Sequence, residues 1–129
     1  GLSGMFQNAT SFNQPLGNWD VTEIRNFSDI FNGATSFNQD LSSWTPTKMT
    51  GLFIGMFAWG FNRGFLNTAM STANYDALLI AWSALTFTDT DIPFAMNQTT
   101  QYSAGAAATA RGVLTGAPNN WTITDGGQA

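Results

Sequence analysis

The chain contains no cysteine and no histidine. Their absence excludes disulfides, thiolate chemistry, imidazole metal ligands and the commonest general base. Charge is also scarce, because only 9% of the 129 residues are Asp, Glu, Lys or Arg. The four basic residues are scattered singly, so the composition argues against a nucleic-acid partner and against binding to an anionic membrane surface. We also expect no metal and no cofactor.

Long apolar runs are missing as well. The longest strongly apolar stretch is Ala77 to Trp82, far below the roughly 20 residues that span a bilayer. We therefore expect no membrane insertion by this segment. A length of 129 residues suits one domain with a real core, and we predict a single domain over residues 1–129.

What the chain does have is a repeat. The hexapeptide ATSFNQ occurs at 9–14 and recurs at 34–39. The surrounding sequence matches at the same offset in further positions, namely Phe6/Phe31, Leu16/Leu41, Trp19/Trp44 and Thr22/Thr47. A fixed period between about 20 and 50 residues is typical of solenoids. A third, degenerate copy is predicted to start at Met56-Phe57, after an insertion near residues 53–55.

Each copy carries the spacing of a leucine-rich repeat. The pattern L-x-x-W-x-V/P covers 16–21 and 41–46, which predicts a short strand near Trp19 to Val21 and another near Trp44 to Pro46. The apolar residues that follow recur at three and four residues and predict one or two helical turns over 24–31.

The repeated hexapeptide has a physical explanation. Ordering a single coil costs roughly 37 kcal/mol of conformational entropy at about 1.5 kcal/mol per residue, which a lone coil cannot offset by burial. Stacked coils bury each other's faces, and identical corners keep the stack in register. We therefore expect Phe12 and Phe37 to stack inside. The neighbouring amides are expected to bond turn backbone and one another: Asn13, Asn38, Gln14 and Gln39.

The second half has a different pattern. Ser71 can cap a helix that runs to about Ala84, and a second helix is predicted from Ser103 to Leu114. Short strands are predicted at 92–96, with Pro93 at a sheet edge, and at 121–123. The predicted fold class is α/β: a short leucine-rich-repeat solenoid at 1–70, with two clear coils and one degenerate coil, closed by a helix-strand-helix-strand cap at 71–129.

These motifs resemble the BspA-like leucine-rich repeat surface proteins of bacteria, whose coils are similar to Met5–Val21 and Ile30–Trp44. The resemblance implies an exported or cell-surface protein that adheres to a protein or glycan. It provides no catalytic or metal-binding residues to carry over. Thr45-Pro46, where Asp-Val is usual, departs from the family pattern.

The candidate ligand-binding residues flank the predicted core of the strand side, and the tryptophan outside the repeat pattern joins them. They are Asn18, Asp20, Thr22, Ser43, Thr45, Thr47 and Trp59. We name no catalytic residues and expect no enzyme. Asp89-Thr90-Asp91 is the sole close carboxylate pair, and a solvated loop, a calcium site and a catalytic pair all remain open for it.

Two functions from different classes remain open. The first is a recognition or adhesion module at the bacterial surface or outside the cell, with further repeats upstream in the same chain. The second is a structural unit of an extracellular matrix or filament, in which the uncapped first coil stacks on another copy. Four matches to the Asn glycosylation motif decide nothing, because the chain is rich in Asn, Ser and Thr.

Overall fold

The computed structural model describes residues 1–54 and 57–129. Regular secondary structure is sparse in this part of the chain. Its elements are β1 (Phe53–Ile54), β2 (Phe57–Ala58), α1 (Thr72–Ser83), β3 (Pro93–Ala95), α2 (Ala106–Thr115) and β4 (Thr122–Thr124). β1 and β2 form an antiparallel hairpin, β3 and β4 pair in parallel, and the two helices pack together.

The two copies of the repeat lie one upon the other. The amides of Leu2, Gly4, Phe6 and Asn8 donate to the carbonyls of residues 26, 28, 30 and 32 at 2.8 to 3.2 Å. Every second amide of the first segment is used in this way. The intervening amides of Met5, Gln7 and Ala9 donate three residues back within their own segment. Turns and cross-layer bonds therefore alternate along the chain.

A third layer continues the same ladder. The amides of Phe27, Asp29, Phe31 and Gly33 donate to the carbonyls of residues 60, 62, 64 and 66 at 2.8 to 3.0 Å. Phe61 and Phe65 donate in turn to the β3 carbonyls of Pro93 and Ala95, and β3 pairs with β4. We refer to segments 2–8, 26–33, 60–67, 93–95 and 122–124 as layers one to five.

The predicted start of the third copy is wrong. Phe57 lies in the β1–β2 hairpin, and its predicted partner Met56 falls outside the described residues. Phe61 and Phe65 occupy the positions of Phe27 and Phe31. The offset between equivalent residues is 25 from layer one to layer two and 34 from layer two to layer three. The insertion was correctly placed near residues 53–55, of which Gly55 is not described. Its additional residues form the hairpin, which stands outside the ladder.

Backbone dihedrals show the same offsets. Gly4, Asp29 and Arg63 have φ of 65, 56 and 54° at equivalent positions of layers one, two and three. The corresponding second set is Asn8, Gly33 and Asn67, with φ of 60, 83 and 55°. A left-handed residue every fourth position ends each turn before a helix can propagate. The predicted helical turns over 24–31 are consequently a row of separate turns.

The predicted strands are also absent where we expected them. Trp19–Val21 and Trp44–Pro46 are irregular segments between turns. The parallel pairing lies on the opposite part of each coil, where isolated bridges join Asn26 to Gly60 and Phe61 to Phe94. The L-x-x-W-x-V/P spacing marks core positions of a turn-rich coil, except at Trp19, which is exposed. Apolar spacing alone does not distinguish such positions from strand positions.

Aromatic rings repeat with the layers. Phe6 stacks on Phe12 with ring centroids 4.1 Å apart, and Phe31 stacks on Phe37 at 4.0 Å. Between copies, Phe6 and Phe31 are 5.7 Å apart and Phe12 and Phe37 are 5.8 Å apart, all with nearly parallel rings. The expected stacking of the hexapeptide phenylalanines is thus confirmed, and it fixes the register of the two copies.

Side-chain amides join the corners of the coils. Asn13 Oδ1 accepts from the backbone N of Asn38 at 2.9 Å and from Gln39 Nε2 at 2.8 Å. Asn38 Oδ1 repeats this arrangement by accepting from Ser71 N and Asn74 Nδ2, both at 2.9 Å. The bonding expected of Asn13, Asn38 and Gln39 is confirmed, whereas Gln14 is exposed and has no such bond among the described residues.

Tryptophans form a second ladder through the core. Trp44 Nε1 donates to the carbonyl of Leu16 at 2.8 Å, and Trp82 Nε1 donates to the carbonyl of Leu41 at 3.3 Å. Leu16 and Leu41 occupy equivalent positions in the two copies of the repeat. Trp82 of α1 therefore makes the same bond to the second copy that Trp44 makes to the first. Helix α1 therefore continues the repeat's core with helical backbone.

The predicted order of the C-terminal elements is confirmed. Ser71 caps α1, with its Oγ accepting from Asn74 N at 3.2 Å. Ser103 does not cap α2, whose N-cap is Gly105 at φ 82°. The edge position predicted for Pro93 is wrong, because β3 is bonded to layer three on one side and to β4 on the other. Proline is tolerated there as the first strand residue.

Replacement of Gly33 should separate layers one and two. Gly33 adopts φ 83°, and an added Cβ would clash with the Asn8 side chain of the neighbouring layer. We expect Gly33→Ala to lower the free energy of unfolding by about 1–3 kcal/mol, measured by urea denaturation. Gly4→Ala is the matched control, since Gly4 is also left-handed but its Cβ would meet only Gln7 Oε1 at 3.2 Å. An equal loss of unfolding free energy in Gly33→Ala and Gly4→Ala would contradict the close contact between Gly33 and Asn8.

Candidate functional site

Six of the predicted ligand-binding residues lie on two successive coils. We call Asn18, Asp20, Thr22, Ser43, Thr45 and Thr47 the polar face. Ser43 Oγ donates to the carbonyl of Gly17 at 2.9 Å and ties the two coils together. Lys48 Nζ, next to Thr47, bonds both carboxylate oxygens of Glu23 at 2.8 Å. The polar face is therefore a surface of turns cross-linked between layers, and not the strand surface that the sequence predicted.

The acidic group of the polar face is held in place by its neighbour. Asp20 Oδ1 accepts from Thr22 Oγ1 at 2.7 Å and from Thr22 N at 3.0 Å. The hydroxyl bond and then the backbone bond hold the pKa of Asp20 below its ordinary value. Asn18, Asp20 and Ser43 are exposed, while Thr22, Thr45 and Thr47 are half-buried. The face presents hydroxyl, amide and carboxylate groups in a fixed arrangement.

The Asp89–Asp91 loop carries structural bonds. Asp89 Oδ2 accepts from Thr50 Oγ1 at 2.7 Å and from Gly51 N at 2.9 Å, and Thr88 N donates to the carbonyl of Thr47. The bonds from Gly51, Thr50 and Thr90 lower the pKa of Asp89. This loop joins the chain after α1 to the second coil. Within residues 1–54 and 57–129, no cluster of three or more acidic side chains is arranged to hold a metal ion.

Trp59 lies apart from the core tryptophans, as predicted. It follows the β1–β2 hairpin, is half-buried, and lines two neighbouring cavities of about 440 and 270 Å³. Both cavities also contact Ser3 and Asn26, so they adjoin each other and together form a groove along the side of layers one to three. We call it the Trp59 groove. Its other lining residues are Gly1, Glu23, Ile24, Arg25, Ser28, Asp29, Ala58 and Arg63.

Charges along the Trp59 groove are mostly paired. Arg63 donates through Nε and a terminal nitrogen to the two oxygens of Asp29 at 3.0 and 2.8 Å. The hydrogen bond to Asp29 raises the pKa of Arg63. Ser3 and Ser28 share a hydroxyl contact at 3.1 Å, and Asn26 Oδ1 accepts from Ser28 N. Sequence reasoning found Trp59 but missed the polar lining, which comes from residues distant in the chain.

A buried polar cluster in the cap was also missed. Tyr75 Oη donates to Asp125 Oδ2 at 2.6 Å, Arg111 Nε donates to the same oxygen at 2.8 Å, and Gly127 N donates to Oδ1. The Asp125 side chain is only 3% exposed. Burial opposes its ionisation, but the bonds from Arg111, Tyr75 and Gly127 outweigh burial and lower its pKa. The cluster joins α1 and α2 to the residue that follows β4.

The described part of the chain has no helix with the length and apolarity needed to cross a membrane. No curated protein and no solved structure matched the sequence. A family model described as "Mycoplasma protein of unknown function, DUF285" matches residues 1–91, from the first layer to the loop after α1. The match covers both copies of the repeat and the hairpin insertion, and the chain therefore belongs to the DUF285 family.

Proposed function

We propose that the chain is a non-catalytic recognition or adhesion module that binds an extracellular protein or glycan. In this proposal it is part of a leucine-rich-repeat-type solenoid of the BspA-like kind, displayed outside the cell or on a bacterial surface. The observation that carries it is the polar face, because its side chains are exposed or half-buried and are held in register by bonds between the coils. Fixed polar groups on a broad surface suit wet, extended contacts.

The use of the carboxylates supports a non-catalytic role. Asp20, Asp89 and Asp125 each accept two or more hydrogen bonds from their own chain, and these bonds lower the pKa of all three. A general acid needs a pKa close to the working pH, and these groups are shifted away from it. These three carboxylates are therefore poorly suited to proton transfer, and the exposed one, Asp20, is better suited to recognition.

Binding should depend on the polar face. We expect Asp20→Ala and Thr47→Ala to weaken binding to an immobilised matrix protein or glycan by about fivefold or more, measured by surface plasmon resonance. Asp40→Ala is the matched control, since Asp40 makes the same kind of local bond, to Ser42 N at 2.8 Å, outside the face. No saturable binding to any matrix protein or glycan, with longer repeat arrays included, would overturn the proposal.

The second candidate function is self-assembly, favoured by the outer side of layer one. Carbonyls of residues 26, 28, 30 and 32 accept amides from the layer before them. The equivalent carbonyls of residues 1, 3, 5 and 7 accept no backbone amide within the described chain. Met5 is 50% exposed, whereas its equivalent Ile30 is fully buried. We propose that the first coil of one copy stacks through this side on another copy of the chain.

Solution mass separates the two candidates. If copies stack, sedimentation velocity should show species that grow with concentration, and Met5→Glu should reduce them to monomer because it places a charge on the apolar contact. Ile80→Glu is a suitable control, as Ile80 is exposed to a similar 45% on α1, away from layer one. A monomer at every concentration would exclude self-assembly and leave recognition unaffected.

A further inference from the structure

Trp59 differs from the other tryptophans of the chain. Trp44, Trp82 and Trp121 are buried, and Trp19 packs against Phe6 with ring centroids 5.8 Å apart. Trp59 packs on no aromatic ring among the described residues and lines the Trp59 groove instead. It belongs to the insertion that lengthens the offset between layers two and three. Insertions in a repeat commonly form loops on the binding side, because the stack itself does not need them.

Arg25 is the second unusual residue in the groove. The chain has four basic residues, and three of them form ion pairs, namely Lys48 with Glu23, Arg63 with Asp29 and Arg111 with Asp125. Arg25 is exposed, lines the groove, and has no carboxylate within ion-pair distance in the described residues. Since Glu23 and Asp29 are both neutralised by partners, the groove has an unbalanced positive charge in a protein of net charge -4.

Hydrogen-bonding groups also line the groove. Asn26 uses its Oδ1 to accept from Ser28 N, while no acceptor for its Nδ2 lies within the described residues. The hydroxyls of Ser3 and Ser28 contact each other and retain capacity for a further bond. The groove therefore combines an aromatic ring, an amide donor, two hydroxyls and an unpaired guanidinium.

We propose that the Trp59 groove binds an acidic sugar of a glycan. The apolar C–H face of the pyranose ring lies on the Trp59 indole, and the carboxylate of the sugar accepts hydrogen bonds from the Arg25 guanidinium. Ring hydroxyls bond to Asn26 and to the serine hydroxyls. A guanidinium matches a carboxylate with two parallel bonds, which gives geometric as well as electrostatic preference for the acidic sugar. This inference rests on the proposed recognition function and names a ligand class and a site for it.

The test is calorimetric titration of the chain with a tetragalacturonate, and with the same oligomer after reduction of its carboxylates. We expect saturable binding of the acidic oligomer and at least tenfold weaker binding of the reduced one, because a hydrogen bond to a charged group is lost. Trp59→Ala and Arg25→Gln should each weaken binding about tenfold or more. Trp59→Phe and Arg25→Lys should retain part of it. Gln14→Ala, at an exposed residue outside both the groove and the polar face, is the control and should bind like the parent chain.

Two results would overturn the inference. One is an acidic-oligomer affinity that is unchanged in Trp59→Ala and Arg25→Gln, and the other is no binding of that oligomer. Failure of the recognition function itself would be distinguishable. Suppose that the acidic oligomer does not bind, while a matrix protein still binds and Asp20→Ala weakens that binding. The groove is then excluded as the glycan site, and the recognition function remains supported. Circular dichroism of each variant identifies any loss of binding that comes from unfolding.

Discussion

Trp44→Ala should be among the most damaging single substitutions in the repeat. The Trp44 side chain is 1% exposed and packs against Phe27 and Phe31 at 5.8 and 6.3 Å. Its removal opens a large cavity and takes away one of the two donors to the Leu16 carbonyl, which still accepts from the amide of Trp19 at 3.0 Å. We expect a loss of about 4–5 kcal/mol in the free energy of unfolding, which is much of the stability of an ordinary domain.

Trp19→Ala is the internal control for this result. Trp19 occupies the equivalent position in the first copy, but it is 39% exposed. No acceptor for its Nε1 lies in the described residues, so we expect a loss of only about 1 kcal/mol. Urea denaturation gives both values, and Trp44→Phe provides a measurable intermediate if Trp44→Ala does not fold. Equal losses at Trp19 and Trp44 would contradict the buried position of the second copy between its neighbours.

Asp125→Ala should have the second large effect. The substitution leaves Arg111 without its carboxylate partner and Tyr75 Oη without its acceptor. Loss of one partner of a buried ion pair is strongly destabilising, but Arg111 remains 23% exposed and keeps some hydration. We therefore expect a loss of about 2–4 kcal/mol, measured by urea denaturation at neutral pH. Asp76→Ala is a milder comparison, since Asp76 accepts a single backbone bond, from Ser103 N at 2.9 Å.

The same cluster predicts how stability depends on pH. The folded state lowers the pKa of Asp125, so its contribution is complete above the unfolded value of about 3.8 and is lost as pH falls through the folded value. Burial and the Asp125 bond raise the pKa of Tyr75 above 10.0, so stability should also fall once pH exceeds about 10. Asp125→Asn should flatten the acid limb of the stability profile. If Asp125→Asn loses stability at low pH as steeply as the parent chain does, Asp125 is not the group responsible for that loss.

Part of this architecture could be predicted from the sequence, because hydrophobic spacing reports which positions are buried. The repeat of Phe12 and Phe37 and the stripe on α1 gave the stacking and the cap. The longer offset before layer three was missed because the Met-Phe dipeptide recurs at 56–57. A better signal was available in Phe27/Phe31 and Phe61/Phe65, which share a spacing that the hairpin does not interrupt.

The site was harder to predict than the core. Trp59 was identified because it breaks the repeat pattern. Asn26, Asp29 and Arg63 could not be assigned to the same groove without the longer offset, since only that offset places Arg63 beside Asp29. The bond between Tyr75 and Asp125 joins distant parts of the chain and leaves no local pattern in the sequence. Polar contacts between layers depend on the register of the repeats. If the predicted register is wrong, none of these contacts can be predicted correctly.

The central claim is that the repeat copies lie in adjacent layers, with an offset of 25 between layers one and two and of 34 between layers two and three. Nuclear Overhauser contacts between backbone protons test it directly on the unaltered chain. We predict contacts between the amide of Phe6 and the α-proton of Ile30, and between the amide of Phe27 and the α-protons of Gly60, because each pair forms a cross-layer hydrogen bond. Contacts that instead join the amide of Phe27 to Gly51, which the shorter offset places where Ile30 lies relative to Phe6, would contradict the account, as would no contacts between the copies.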